Sequence, residues 1–310
     1  MPTRQQLLDR PDQDAERKKE PGLTNGMNVP LHIEQGLLVA DSRGVRVQAA
    51  SSAFDTAEAE RIAVLFGERP RGVLCPLAHF ACPFGSRQVA VVRVTDLPGV
   101  GAQLGFHFLL LERQLYRLLG DPFLIADRFV ADWQCKGSLP ALTWPAQPLP
   151  ERTLEELDAI LRHGDGPLLL GAVQALVDGN RVVIGRDTPA ENLVRSLWRL
   201  LPERSRGQLW PATFVFSNDL PFHFRVVPPV VLDREMPAPP QKRPCDLLSE
   251  EAVRDYPTGS YELNLQIAVE SGDRVALHRL LHRRTPDETL RLALYMVLFA
   301  LIVVLLSRLW

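Results

Sequence analysis

Residues 77–84 (LAHFACPF), 88–94 (QVAVVRV) and 105–111 (GFHFLLL) are three strand-length apolar runs close together in the chain. Gly85-Ser86-Arg87 separates the first two by hairpin spacing, and GFHFLLL reads as a central strand. Upstream, Leu31, Ile33, Leu37 and Val39, then Asp41-Ser42-Arg43-Gly44 and Val45 and Val47, predict another hairpin over 31–50. Asp55-Thr56-Ala57-Glu58 is a capping box that opens a helix stopping at Gly67. Downstream, ERQLYRLLGD (112–121) predicts a helix with Leu115, Leu118 and Leu119 on one face. After prolines 140, 145, 148 and 150, Thr153-Leu154-Glu155-Glu156 opens a helix closed by Gly164, and residues 168–179 predict a second. RVVIG (181–185) reads as a strand, 189–201 as a helix, and ATFVFS (212–217) with FHFRVV (222–227) as a hairpin turning at Asn218-Asp219. Strands and helices follow one another without a regular βαβ rhythm, so the expected class is α+β with a mostly antiparallel sheet and packed helices.

Composition bounds the rest. The chain has 310 residues, 46% hydrophobic and 23% charged, which excludes a wholly disordered chain. Its net charge is −2, with 37 acids offsetting 31 arginines and 4 lysines, so no nucleic-acid partner is expected. Residues 1–29 mix charges with almost no large apolar side chain and read as a disordered arm. An α+β cytoplasmic domain is expected over 30–227. Six prolines between 228 and 244 mark 228–247 as a proline-rich linker. Residues 248–284 read as a juxtamembrane helical hairpin: Leu265, Ala268, Gly272, Val275, Leu277, Leu280 and Leu281 have the spacing of one ankyrin-type helix-turn-helix, present once.

Residues 292–306, LALYMVLFALIVVLL, contain neither a charge nor an amide. A helix over 289–310 would reach about 33 Å, enough to cross a hydrocarbon core of about 30 Å. Thr285-Pro286-Asp287-Glu288 supplies its cap, so residues 285–310 are expected to form a single transmembrane helix, with the lipid bilayer as partner of 289–310. Arg291 and Arg308 can snorkel to the two interfaces, and Trp310 suits the headgroup belt. His278, Arg279, His282, Arg283, Arg284 and Arg291 lie upstream of the run, against Arg308 downstream. That bias keeps the N-terminal domain in the cytoplasm, and residues 1–30 hold no apolar signal core. The expectation is a tail-anchored protein of a bacterial cytoplasmic membrane, with anionic lipid as a second contact of 278–284.

Chemistry-bearing groups are few. Cys75, His79 and Cys82 form the one metal-like cluster, with Cys135 as a further ligand if a turn brings it near; Cys245 is the fourth cysteine. In a strand Cys75 and His79 share a face while Cys82 points to the other, so buried, inert cysteines are expected and no metal or cofactor. Cys75 with His79 or His107 would be the thiol–base pair of a nucleophilic enzyme, but nothing in the spacing joins them. His107 and His223 each sit between two phenylalanines and read as polar-face histidines. Gly99, Gly101 and Gly105 precede a strand and so lack the helix N-terminus a phosphate loop needs. Glu203-Arg204-Ser205-Arg206 reads as a solvated turn.

FHFLLL (106–111), DPFLIADRF (121–129), LWRLLP (197–202) and LWPATFVFS (209–217) carry a resemblance. Through them the stretch 89–227 resembles a group of bacterial membrane-tethered proteins of unassigned activity. A helix ending in LLP, a basic turn and an aromatic strand is also similar to N-terminal domains of bacterial GTPase-associated proteins, thought to act in conflict or signalling systems. Neither group brings catalytic residues. The expected function is a membrane-displayed binding or scaffolding domain, its protein partner meeting the α+β domain or the 263–284 hairpin. A membrane-tethered hydrolase with its site assembled across strands is the alternative.

Overall fold

The computed structural model describes residues 31–98, 103–144, 149–235, 247–283, 293–299 and 302. The first half runs β1 (His32–Asp41), β2 (Gly44–Ala50), α1 (Thr56–Leu65), β3 (Ala78–Phe84), β4 (Gln88–Leu97) and β5 (Gln103–Glu112). It continues with α2 (Arg113–Leu119), α3 (Pro122–Arg128), β6 (Gly137–Ser138) and β7 (Leu142–Thr143). The second half contains α4 (Leu154–His163), α5 (Gly166–Val177), β8 (Arg181–Gly185), α6 (Glu191–Leu200), α7 (Glu203–Arg206), β9 (Pro211–Ala212) and β10 (Phe224–Val227). It closes with α8 (Pro229–Glu235), β11 (Leu247–Leu248), α9 (Glu250–Arg254), α10 (Ser260–Glu270) and α11 (Arg274–Leu281).

Local signals act where the sequence places them. The Asp55 carboxylate accepts the Glu58 N–H at 3.1 Å at the start of α1, and the Thr153 hydroxyl accepts the Glu156 N–H at 3.1 Å at the start of α4. Glu155 and Glu156 in the first turn of α4, with Arg162 and His163 in the last, complement its dipole. Helix α3 lies outside the sequence expectations, although Asp121-Pro122 is an N-cap and N1 pair: the Asp121 carboxylate accepts from both Phe123 and Leu124.

The fold is α+β, and its sheet is mixed. Strand order is β11-β8-β10-β9-β3-β4-β5-β1-β2-β6, with β7 paired to β1. Neighbours within β3-β4-β5-β1-β2 are antiparallel, as expected. Neighbours within β11-β8-β10-β9 are parallel, which corrects the mostly antiparallel reading. The expected hairpin of 212–217 with 222–227 does not form. Phe224 pairs with Pro211 and Arg225 with Ala212 in parallel, while residues 213–217 dive into the core. Their aromatics are buried by packing, not by a ladder: Phe216 sits 5.2 Å from Phe66, and Phe214 sits 5.4 Å from Phe216. Period-two hydrophobicity signals burial on alternate sides and does not by itself choose a pairing partner.

Register divides the antiparallel strands into two chemistries. Ala78, Phe80 and Cys82 face the same side as Val94, Val92 and Ala90 and as Phe106, Phe108 and Leu110. Phe66 of the α1 C-cap packs there against Phe80 and Phe106, each 5.4 Å away. Phe54 lies directly on Gly36, where any Cβ would collide with its ring. The opposite side carries His79, Arg93 and His107 in one cross-strand row.

Residues 247–283 are built into this body. β11 extends the parallel half beside β8, and Tyr261 of α10 donates its hydroxyl hydrogen to the Leu200 carbonyl at 2.7 Å. Gln174 of α5 is buried and accepts the Glu262 N–H at 3.1 Å. α9 crosses α5 at Gly171, so closely that a Cβ there would overlap the Val253 carbonyl oxygen. Residues 1–30, 236–246 and most of 284–310, where the arm, much of the linker and most of the membrane helix were expected, lie outside the described residues. Among the described residues no helix is long and apolar enough to cross a membrane.

Gly171→Ala separates the two effects. Helix propensity favours alanine by about 1 kcal/mol, whereas a Cβ inside a backbone carbonyl must displace α9. We expect the variant to lose about 2 kcal/mol or more in urea unfolding, the usual cost of overpacking. A gain in stability would show that α9 is loosely held.

Candidate functional site

The cross-strand row is roofed by α3 and the residues after it. Arg93 donates to the Ala126 carbonyl at 2.9 Å and the Phe129 carbonyl at 3.4 Å, placing its charge at the C-terminal end of α3. Its Nε also donates to His79 Nε2 at 3.3 Å. With Nε2 accepting, Nδ1 is the ring's donor nitrogen. That nitrogen has no hydrogen-bond partner, its nearest acceptor being Glu191 Oε2 at 3.6 Å. Glu191 is held more tightly by Arg195, at 2.5 Å, and Arg195 grips Asp127 with two bonds of 2.8 and 2.9 Å. Burial pushes the Glu191 carboxyl up, but His79 and Arg195 outweigh it and bring the group down to about 2.

His107 continues the row. Its Nε2 is 3.2 Å from Gln35 Oε1, and the Gln35 amide is oriented by donating to the Pro140 carbonyl at 2.8 Å. Burial, reinforced by Arg93, pushes His107 down to about 4. The alternation that puts His107 opposite Phe106 and Phe108 is as expected, but its face is covered: the ring is 1% exposed, with Trp133 edge-on at 6.4 Å. His223 is half-buried, its Nδ1 accepts the Trp210 N–H at 3.1 Å, and burial takes it down to about 4.

Beside this network opens a cleft of about 720 Å³ walled by α3, α4, α6 and the start of α5. Its apolar floor includes Phe123, Leu124, Ile160 and Leu193, and its rim carries Arg195, Arg199, Glu156 and Asp165. Each of these charges has a partner. Arg199 meets Glu156 at 2.7 Å, Arg195 is committed to Asp127 and Glu191, and Asp165 pairs with Arg254. Such a cleft offers shape and apolar area, rimmed by charges already held in ion pairs. A second cleft of about 930 Å³ lies between β1, β2, the ends of β4 and β5, and residues 131–136.

The sequence-selected groups do not converge. Cys82 lies on the aromatic side of the sheet and His79 on the other, and Cys75 precedes β3. The Cys75 N–H donates to Asp96 at 2.7 Å, and Asp96 also binds Arg69. Burial, aided by Asp96, pushes the Cys75 thiol up to about 12, and burial raises Cys82 as well, so neither supplies a thiolate near neutrality. Cys135 is half-buried, its carbonyl accepting from Gln48 at 3.0 Å, and Cys245 lies outside the described residues. Among the described residues no group of three His, Cys, Asp or Glu side chains could hold a metal ion. Gly105 is where Trp133 presses on β5, while Gly99 and Gly101 fall outside the described residues. Residues 203–206 form the short helix α7, a correction to the solvated turn; Arg206 is buried, 3.5 Å from Asp121. The His79–Glu191 pair is the histidine–acid contact a hydrolase would need, but His79 is 1% exposed and lines neither cleft. It escaped the sequence reading because 112 residues separate its members.

No protein-family model matches the chain, and no curated protein matches it.

Burying neutral histidines makes stability pH-dependent. The unfolded chain protonates His107 near 6.5 and the folded one only near 4, so the unfolded state binds more protons between those values. Stability is therefore complete above about 6.5 and falls as pH drops toward 4, by up to about 3 kcal/mol for His107. We expect His107→Gln to flatten much of that slope in urea titrations at several pH values, leaving the share of His223.

Proposed function

We propose that this chain is a bacterial membrane-anchored protein, held in the cytoplasmic membrane through residues 289–310, that displays its α+β body in the cytoplasm as a protein-binding module. The observation that carries the reading is the state of residues 293–299 and 302. They are helical, and Leu294, Tyr295, Met296, Val297, Leu298, Phe299 and Ile302 are 47–68% exposed. The remainder of the described chain keeps most comparable side chains in the core, so seven exposed large apolar residues in one short helical segment call for an apolar solvent. The arginine excess before residue 292 favours a cytoplasmic body. The cleft between α3, α4 and α6 is the binding surface that fits this role best. It is roomy and apolar-floored, and its ionic groups are already paired, which favours recognition over chemistry.

Two measurements test it. Full-length protein should stay with membranes through alkaline carbonate extraction while residues 1–285 are released, and protease added to inverted vesicles should digest the body. Release of both forms would remove the anchor. Ala159→Trp, which fills the cleft with an uncharged side chain, should cut partner recovery from detergent extracts at least about tenfold, the loss of roughly 1.4 kcal/mol, with unchanged membrane retention.

A further inference from the structure

We propose that the outward face of α10 and α11 lies on the anionic lipid surface of the membrane that holds residues 289–310, so that the body is docked and not merely tethered. The inference rests on the anchored reading above and adds a second membrane contact.

Three observations converge on that face. The first is reach. Arg283 is held against the body with its guanidinium 5.1 Å from the centre of the Tyr261 ring, and His282 lies 3.1 Å from Glu203. The apolar run begins at Leu292, and nine residues span no more than about 32 Å even when fully extended. The end of α11 therefore cannot leave the vicinity of the bilayer surface.

The second is charge. From 274 to 291 the chain carries Arg274, Arg279, Arg283, Arg284 and Arg291, together with His278 and His282, against Asp287 and Glu288. Arg274 is paired with Glu155 at 2.8 Å, but Arg279 is exposed and has no acidic partner among the described residues. Juxtamembrane arginines are drawn to an anionic leaflet within a Debye length of its surface.

The third is exposed apolar area. Leu263 and Ile267, one turn apart on α10, are 48% and 52% exposed, and Val275, one turn before Arg279 on α11, is 61% exposed. Leu265, Ala268, Leu277 and Leu281 of the same helices are buried against the body, so the hairpin has already used its inward face. Exposed large aliphatics on both helices, with Arg279 one turn from Val275 and without an acidic partner among the described residues, match the headgroup–acyl boundary of an anionic bilayer, where such side chains bury and arginine meets phosphate.

The test uses the full chain in lipid nanodiscs. Cys135→Ser and Cys245→Ser leave only the buried Cys75 and Cys82 as native thiols, and Ile267→Cys receives an environment-sensitive fluorophore. In discs of phosphatidylcholine with phosphatidylglycerol, emission should shift to the blue and be quenched by brominated acyl chains. In pure phosphatidylcholine discs, or in molar salt, both effects should fall away. Arg279→Glu should lower the docked-to-undocked ratio on the order of tenfold. A label at Ser42→Cys, in the exposed β1–β2 turn, should stay solvated throughout. Co-elution of chain and disc with equal, solvated emission in both lipids would overturn docking while leaving the anchor intact. Elution of the chain apart from the discs would overturn the anchor and this proposal together.

Discussion

The register of β3, β4, β5 and β1 is the constraint on which the rest of the molecule depends. In that register Phe80, Val92 and Phe108 stand on one side of the sheet, and His79, Arg93 and His107 stand on the other. A slip of one residue would exchange the two rows, driving charge into the aromatic core and rings toward the polar roof. Each buried ring is worth about 1.5–3 kcal/mol, and leaving a buried polar group without its partner costs about 1–3 kcal/mol, so the two sides resist the slip together. Both sides are covered, one by α1 with Phe54 and Phe66, the other by α3 and the segment through Trp133. An antiparallel sheet commonly leaves one side in water; this one does not.

That covering links the two halves of the chain. Arg93 holds the end of α3, Asp127 of α3 holds Arg195 of α6, and Glu191 of α6 faces His79 of β3. The Thr213 hydroxyl accepts the His79 N–H at 2.8 Å, tying the aromatic segment after β9 to the same strand. The cleft walled by α3, α4 and α6 therefore rests on the polar side of the sheet, and its arginines are positioned by carboxylates from both halves. α10 and α11 then bind the far end of the second half through Tyr261 and His282.

Much of the secondary structure was legible because its causes are local. Asp55 and Thr153 cap α1 and α4, and Gly120, at φ +64°, closes α2. Gly85 turns β3 into β4 at φ +56°. The placement of Cys82 and His79 on opposite sides of β3 was legible for the same reason, since strand alternation alone separates them. Less legible were features whose partners lie far apart in sequence. Residues 212–217 have the alternation of a hairpin strand, yet their packing partner is Phe66 and the neighbouring ladder runs parallel. His107 alternates as a surface residue would, and only the roof from α3 to Trp133 buries it. Arg206 sits in a charged turn motif and is drawn inside by Asp121, a helix cap 85 residues earlier.

The sequence by itself determined the α+β class, most helix ends, the hairpins of the first half and the apolar run at 292–306. Each of these is set by capping, turn chemistry or periodicity within about one or two turns of chain. Only the tertiary structure decided that the second half adds parallel strands, that the histidine–arginine row is buried, and that α9 to α11 belong to the body. Those outcomes depend on which distant surfaces must be removed from water together, a condition that no local window contains.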